Sequence, residues 1–315
     1  MTRMITPDTP PAQRPRRRGL YGPFIAAALA LVGVSADWAM TRTRLLRELS
    51  ALALPSAGRA WTLTSRRARL NGFPFRLDVE LDDARLAEPS GWVVSTPRLM
   101  AEAQLYDPTR WVGFAPEPVT VTRRAAGPLV IRAKVLRASL GEAAARPPRL
   151  SIEALDMTFA TPQGARPFAL TRAGEFDFHS RPGPDDEGAV YIGVVDATAN
   201  PASWLNRIGG PGPITLTLDG LFSHADAGRG ATWPEALANW ARAGGSLQLR
   251  QGLARVGRRS LRVNGLLRFG SDGRPVGDLA AETQGLAVPA RTVLHLSAGG
   301  AILAGRPFGA TPSLF

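Results

Sequence analysis

The stretch Phe75-Arg76-Leu77-Asp78-Val79-Glu80-Leu81-Asp82 decides the class of fold, because apolar and charged side chains alternate along it without a break. Successive side chains of a β-strand point to opposite faces, so this stretch predicts a strand with one apolar and one solvated face. Such one-sided strands are typical of antiparallel sheets. Similar alternation recurs at 119–122, 129–135, 150–159 and 214–219. The sequence therefore predicts a mainly β protein.

The alternation changes phase once, inside 150–159. One set of apolar residues has even numbers and the next set has odd numbers: Leu150, Ile152 and Ala154, then Leu155, Met157 and Phe159. A shift by one residue is typical of a β-bulge or of a strand that crosses a bend in its sheet. We therefore expect a bend here, with the second set continuing the apolar face.

Few helices are available to cover the strands. One short helix is predicted from Thr232, a good N-cap, with Pro234 in the first turn and Gly244-Gly245 at the end. A second is predicted around 202–208. The predicted fold is thus an extended, curved antiparallel sheet, an open groove or a taco-like shape, with one or two short helices and an N-terminal transmembrane helix.

A membrane anchor is predicted from the basic residues Arg16, Arg17 and Arg18, which stand before the uncharged and mostly apolar run 19–36. As a helix, these 18 residues span about 27 Å, close to the thickness of a bilayer's hydrocarbon core. Trp38 follows the run, as an interfacial aromatic residue does, and the basic flank places the N-terminus in the cytoplasm. Small residues at 34–36 leave the alternative of a cleaved signal peptide open.

The anchor divides the chain into four predicted segments. Residues 1–18 form a disordered, basic cytoplasmic tail, and 19–38 form the transmembrane anchor. Residues 39–58 form a helical linker, since Leu45, Leu46, Leu49 and Leu52 have helical spacing. Residues 59–315 form the exported, mainly β domain.

Composition excludes several kinds of chemistry. The chain has no cysteine, which excludes zinc-thiolate sites, iron–sulfur clusters and thiol nucleophiles. The net charge is +12, but Lys134 is the only lysine and the arginines are scattered along the strands. A nucleic-acid binder carries a basic stripe, so we expect no nucleic acid as a partner.

No constellation of catalytic residues stands out. The best candidate for a metal site is Glu175, Asp177 and His179, which share one face of a predicted strand, although a solvated polar face explains the same spacing more simply. No G-x-S-x-G nucleophile elbow is present. We therefore predict no catalytic residue, no metal and no cofactor, and no enzymatic activity.

Several strings resemble a known bacterial family. The string Asn71-Gly72-Phe73-Pro74-Phe75-Arg76-Leu77 resembles the G-[FY]-P-F-R motif of domain-of-unknown-function family 2125 (DUF2125). Further strings resemble its other motifs: Gln104 to Pro108, Gly265 to Phe269, Asp272-Gly273-Arg274 with Gly277, and the tail from Gly299 to Phe315. The resemblance implies an alphaproteobacterial protein of the inner membrane, with a single membrane pass and its C-terminal domain in the periplasm. It also implies similarity to AsmA-like envelope proteins, whose curved sheets enclose an apolar groove and whose larger members are linked to phospholipid movement.

The Gly-Phe-Pro-Phe-Arg string has two interpretations. Gly72 permits a turn and Pro74 suits the start of a strand, so the string can be a structural corner with Phe73 and Phe75 packed on the core. Alternatively, the two rings line the mouth of a groove and Arg76 offers a bidentate fork to a phosphate head group.

Three functions follow from these observations. The first is a protein that binds or guides a phospholipid or another amphiphile at the inner membrane. The second is a closed structural module that docks envelope proteins. The third and least favoured is a periplasmic hydrolase.

Overall fold

The computed structural model describes residues 18–54, 61–201, 212–270, 272–297 and 299–311. Within these ranges strands predominate and form one antiparallel sheet, which confirms the predicted fold class. The strands are β1 (Thr62–Thr64), β2 (Arg67–Asn71), β3 (Arg76–Ala87), β4 (Val93–Gln104), β5 (Asp107–Phe114), β6 (Val119–Arg123), β7 (Gly127–Arg132), β8 (Val135–Gly141), β9 (Arg149–Ala160), β10 (Leu170–Pro182), β11 (Gly188–Ala199), β12 (Ile214–Phe222), β13 (Ser246–Val256), β14 (Arg259–Phe269), β15 (Pro275–Gln284), β16 (Arg291–Ser297), β17 (Gly300–Leu303) and β18 (Arg306–Gly309). The helices are α1 (Arg18–Leu52) and α2 (Trp233–Arg242), with a 3-10 turn at Ala225–Ala227. The short helix expected around 202–208 lies outside the described residues.

The strands follow one another across the sheet almost in chain order. From β9 to β18 each strand pairs with the next, which makes a long meander. At the other end, β3 pairs with β1 and β2 along one side and with β4 along the other. Between β4 and β9 lie two short pairs placed end to end, β6 with β7 and β5 with β8.

The two faces of the sheet differ in polarity, as the alternation of β3 predicts. Leu77, Val79 and Leu81 are all buried, and they define the apolar face. The intervening residues lie on the charged face, where Asp82 accepts a hydrogen bond from Arg69 at 3.1 Å. One face of this sheet therefore carries the core and the other is solvated.

A row of irregular residues bends the sheet near its middle. Asp156 in β9 and Asp196 in β11 have positive φ angles of 51° and 49°. Ala154 and Met157 are both buried, so the apolar face changes parity across Asp156 and the predicted bulge is confirmed. Leu155, however, is 43% exposed on the charged face, and its assignment to the apolar face was wrong.

The stretch 129–135, predicted as one strand, is divided between β7 and β8. β7 pairs with β9 beyond Asp156, whereas β8 pairs with β9 before Asp156. The strand is interrupted at Lys134, whose backbone N–H donates a 2.9 Å hydrogen bond to the Leu155 carbonyl. Val135 consequently lies on the charged face, opposite Leu155.

Helix α2 shows that the sheet is curled. Thr232 caps it through a 3.3 Å bond from the Glu235 N–H, as predicted. The Trp233 N–H is donated to the Glu88 carboxylate at 2.7 Å, although Glu88 lies in the β3–β4 turn. Six strand spacings separate β4 from β12 by way of β6, β7, β9, β10 and β11. Trp240, seven residues after Trp233 on α2, donates its indole N–H to the Ser223 carbonyl directly after β12 at 2.6 Å. Seven helical residues cover about 11 Å, whereas six strand spacings of a flat sheet would amount to about 29 Å, so the sheet must curve to bring β4 and β12 together.

The direction of the curl follows from the other end of α2. Trp240 is buried against Phe269, with ring centroids 5.2 Å apart. Phe269 has the same strand parity as the buried Leu267 and packs against the same core. The helix therefore lies on the apolar face, and that face is the inside of the curl.

Replacing Glu88 by alanine is expected to loosen the contact between α2 and the β3–β4 turn and to lower the free energy of unfolding by about 2 kcal/mol. The Glu88 side chain is buried, and its carboxylate accepts bonds from the Trp233 N–H and from the Ser90 N–H and hydroxyl. Hydrogen exchange of residues 232–243 measures the loosening. Glu142→Ala is the matched control, because it removes a half-exposed carboxylate paired with Arg149 and is expected to cost less than about 1 kcal/mol. Equal protection of α2 in both variants would contradict this role of Glu88.

Candidate functional site

The middle of the apolar face carries two rows of large apolar side chains. Each row crosses β9, β10, β11 and β12, with its members directly opposite one another. The rows are Ile152, Phe178, Ile192 and Leu218, and beside them Ala154, Phe176, Val194 and Leu216. All of these except Ala154 remain partly exposed. We call these eight residues the apolar floor.

The apolar floor is not the centre of a closed sandwich. The buried side chains form three clusters, one around β3, one around β9 to β12 and one around β13 to β17. Among the described residues, no cluster joins side chains of β3 with side chains of β14. Two sheets packed face to face would interdigitate in a shared core. Within the described residues, no second sheet therefore packs on the apolar floor. We call the concave apolar face between the two ends of the curled sheet the trough.

Helix α1 covers the apolar face at the end next to β3. Leu45, Leu46 and Leu49 pack against the cluster of Leu77 and Leu81, which accounts for their helical spacing. The part Pro23–Leu52 is long and apolar enough to cross a membrane, and its most apolar stretch is not buried against the sheet. The predicted anchor and helical linker are thus one continuous helix as far as Leu52.

The turn before β3 attaches α1 to the sheet. Gly72 has φ +95°, and its carbonyl accepts the Arg76 N–H at 2.8 Å. The Trp38 indole N–H is donated to the Arg76 carbonyl at 3.0 Å, and the Trp38 ring meets Phe73 edge-on at 5.5 Å. Phe73 and Phe75 are nevertheless 52% and 64% exposed. The turn is a structural corner that also presents two aromatic rings to the surroundings.

Arg76 does not join the two rings on the apolar side. It has the strand parity of Asp78, and its guanidinium lies 3.1 Å from Asp78 and 3.6 Å from Glu102 on the charged face. Both carboxylates would compete with a phosphate for this side chain. The phosphate fork predicted at Arg76 stays a prediction.

A family model covers most of the chain. The family is described as an uncharacterized protein conserved in bacteria (DUF2125), and its model matches residues 38–299. The chain belongs to the DUF2125 family. The match begins at Trp38, the residue that holds the Gly72 turn, and includes every quoted string except the tail beyond Gly299. No curated protein and no solved structure matches the chain.

The basic flank of the anchor can be placed only in part. In this DUF2125 chain Arg16 and Arg17 lie outside the described residues, and Arg18 is the first residue of α1. Of the predicted anchor residues, Trp38 is the one whose contacts are described.

The charged face holds a second, polar cleft of about 270 Å³. His179 stacks on Tyr191 with ring centroids 5.9 Å apart, and arginines from three strands surround the pair: Arg149, Arg181 and Arg250. Two of these already pair with carboxylates, Arg149 with Glu142 and Arg250 with Asp219. In the described part of the chain, no three histidine or acidic side chains come together as a metal site. Sequence reasoning missed this cleft because its arginines are far apart along the chain and meet only through strand pairing.

Proposed function

We propose that this DUF2125 protein is a non-enzymatic, membrane-anchored protein that binds a phospholipid or a similar envelope amphiphile on the apolar floor. The observation that carries the proposal is the pair of partly exposed apolar rows across four strands. Four strands span about 14 Å between their outer axes. Each methylene that leaves water for such a surface contributes about 0.8 kcal/mol, so an acyl chain laid across the rows gains several kcal/mol.

The proposed location is the bacterial inner membrane, with a single pass through α1 and the β domain in the periplasm. The arginines before the apolar run support this orientation, because cytoplasmic flanks are enriched in basic residues. Phe73 and Phe75 then stand at the membrane end of the trough and form its mouth. The inner membrane and its phospholipids are the proposed partners.

Native mass spectrometry of the full chain in detergent, with extraction and identification of bound lipid, tests the proposal. We expect phospholipid at a fixed stoichiometry in the wild type. Ile192→Asp places a carboxylate at the centre of the apolar floor and is expected to reduce bound lipid at least about ten-fold, because an acyl chain would have to desolvate the charge.

Val195→Asp is the matched control, since Val195 lies on the same strand but is 36% exposed on the charged face. The Val195→Asp variant is expected to retain the lipid, including any lipid bound to α1. Circular dichroism of both variants is the control for folding. Equal lipid content in the two variants would contradict the floor as the binding surface. A folded wild type without lipid would contradict the proposal as a whole and favour the module that docks envelope proteins.

A further inference from the structure

Three aromatic side chains are exposed together at the end of the sheet that α1 reaches. Phe73 and Phe75 lie in the turn before β3, and Tyr106 lies in the turn after β4, where it is 83% exposed. The two turns are joined by a 2.8 Å bond from the Leu105 N–H to the Phe75 carbonyl. We call Phe73, Phe75 and Tyr106 the aromatic collar.

The position of Trp38 sets the level of the collar along α1. Trp38 comes two residues after the apolar run 19–36, whose helical length of about 27 Å matches a bilayer's hydrocarbon core. Aromatic residues at the end of such a run lie among the lipid head groups. The Phe73 ring is 5.5 Å from the Trp38 ring, so the collar lies at the same level.

The charges around the collar suit a surface of lipid head groups. The Arg42 guanidinium lies 6.0 Å from the centre of the Trp38 ring, and Arg110, at the start of β5, has an 80% exposed side chain. Asp37 follows the apolar run, and Asp107 pairs with Arg110 at 3.4 Å. Exposed arginines beside aromatic rings attract anionic lipid, whereas soluble surfaces seldom gather three exposed aromatic rings.

We propose that the aromatic collar inserts into the head-group region of the membrane that α1 crosses. The β domain is then held to the bilayer at two places, by α1 and by the two turns, so α1 and the domain keep one orientation relative to the membrane. The end of the trough next to α1 faces the bilayer. The proposal rests on α1 crossing a membrane and does not depend on whether the apolar floor holds a lipid.

The absence of cysteine in the sequence allows a direct test with single spin labels on the full chain in nanodiscs of phosphatidylethanolamine and phosphatidylglycerol. Labels are placed at Phe75→Cys and Tyr106→Cys. Phe24→Cys, 70% exposed on α1, serves as the hydrocarbon reference.

Trp233→Cys serves as the reference in water. Trp233 is also an exposed aromatic residue, at 52%, but it is bonded to Glu88 beyond the far end of β3. The 12 residues of β3 separate it from the collar by up to about 40 Å.

The measured quantity is the ratio of collision rates with oxygen, which enters lipid, and with a water-soluble nickel complex. We expect labels at 75 and 106 to give ratios between those of the two references and at least about three-fold above that at 233. Ratios equal to that at 233 would overturn the proposal. A label at 24 that reports water would overturn it too, because α1 would then not lie in the bilayer. If the labels at 75 and 106 report water while mass spectrometry still finds bound lipid, the collar is overturned and the proposed function is not. If the labels report the head-group region and no lipid is bound, the collar is supported and the proposed function is overturned.

Discussion

Gly72→Ala is expected to lower the free energy of unfolding by about 3 kcal/mol and to loosen α1 from the sheet. Gly72 has φ +95°, which costs any residue with a Cβ about 1–2 kcal/mol. A Cβ at this position would also lie 2.7 Å from the Arg76 carbonyl oxygen and 2.8 Å from its carbon. Those atoms are backbone and cannot rotate aside. The same carbonyl accepts the Trp38 indole N–H, so any shift that relieves the contact disturbs the attachment of α1.

Gly164→Ala separates the two causes of this loss. Gly164 has a similar φ of +85°, but a Cβ there would meet no atom within 4 Å. We expect it to cost only the backbone penalty, about 1 kcal/mol, in urea unfolding followed by tryptophan fluorescence. Quenching of Trp38 fluorescence, measured in chains whose other tryptophans are replaced by phenylalanine, reports the attachment of α1 separately. Equal losses in the two alanine variants, with Trp38 unchanged, would show that the turn does not hold the helix.

Features that depend on neighbouring residues could be predicted from the sequence. The alternation of β3 fixed which side chains face the core, and Thr232 capped α2 as its chemistry requires. Asp272-Gly273 lies in the hairpin between β14 and β15, as an Asp-Gly pair between two apolar strands favours, and the Asp272 carboxylate accepts the Arg274 N–H at 3.1 Å. Each of these features depends on a few consecutive residues, whose conformational preferences can be recognised in a single sequence.

Features that depend on distant strands could not be predicted. The pairing of β7 and β8 with different parts of β9 placed Val135 and Leu155 on the charged face, although both have the apolar character of core residues. The hydrogen bond between the Trp233 N–H and the Glu88 carboxylate joins residues 145 positions apart, and no local sequence pattern predicts it. The carboxylate of Glu102 that approaches Arg76 comes from the adjacent strand.

The candidate site lies between these two cases. The small number of helices predicted an apolar face with little cover, and the partly exposed rows of the apolar floor agree with that expectation. The particular residues of the floor could not be chosen from the sequence, because β3 has an equally apolar face and yet is covered by α1. Which part of an apolar face stays open depends on where the helices pack, and that is decided by tertiary contacts.

Leu77→Ala is expected to cost about 4 kcal/mol of unfolding free energy, the largest loss among the substitutions considered. Leu77 is 0% exposed and belongs to the cluster that joins β2, β3 and β4 to Leu45, Leu46 and Leu49 of α1. Removing its side chain loses the burial of three carbon atoms and leaves a cavity, since a paired strand on one side and a helix on the other resist collapse. Equilibrium urea unfolding of the full chain in detergent measures the loss.

Leu86→Ala is the control on the same strand, because Leu86 is 36% exposed and its removal leaves no enclosed cavity. It is expected to cost about 1 kcal/mol, and a similar loss in both variants would mean that the cluster beneath α1 is not a rigid core. If only Leu77→Ala loses much unfolding free energy, the cluster beneath α1 is rigid and fixes α1 against one end of the apolar face. An anchored helix that is rigidly packed on the sheet keeps the trough at a constant angle to the membrane. A lipid that moves between the bilayer and the apolar floor would then follow the same path in every molecule.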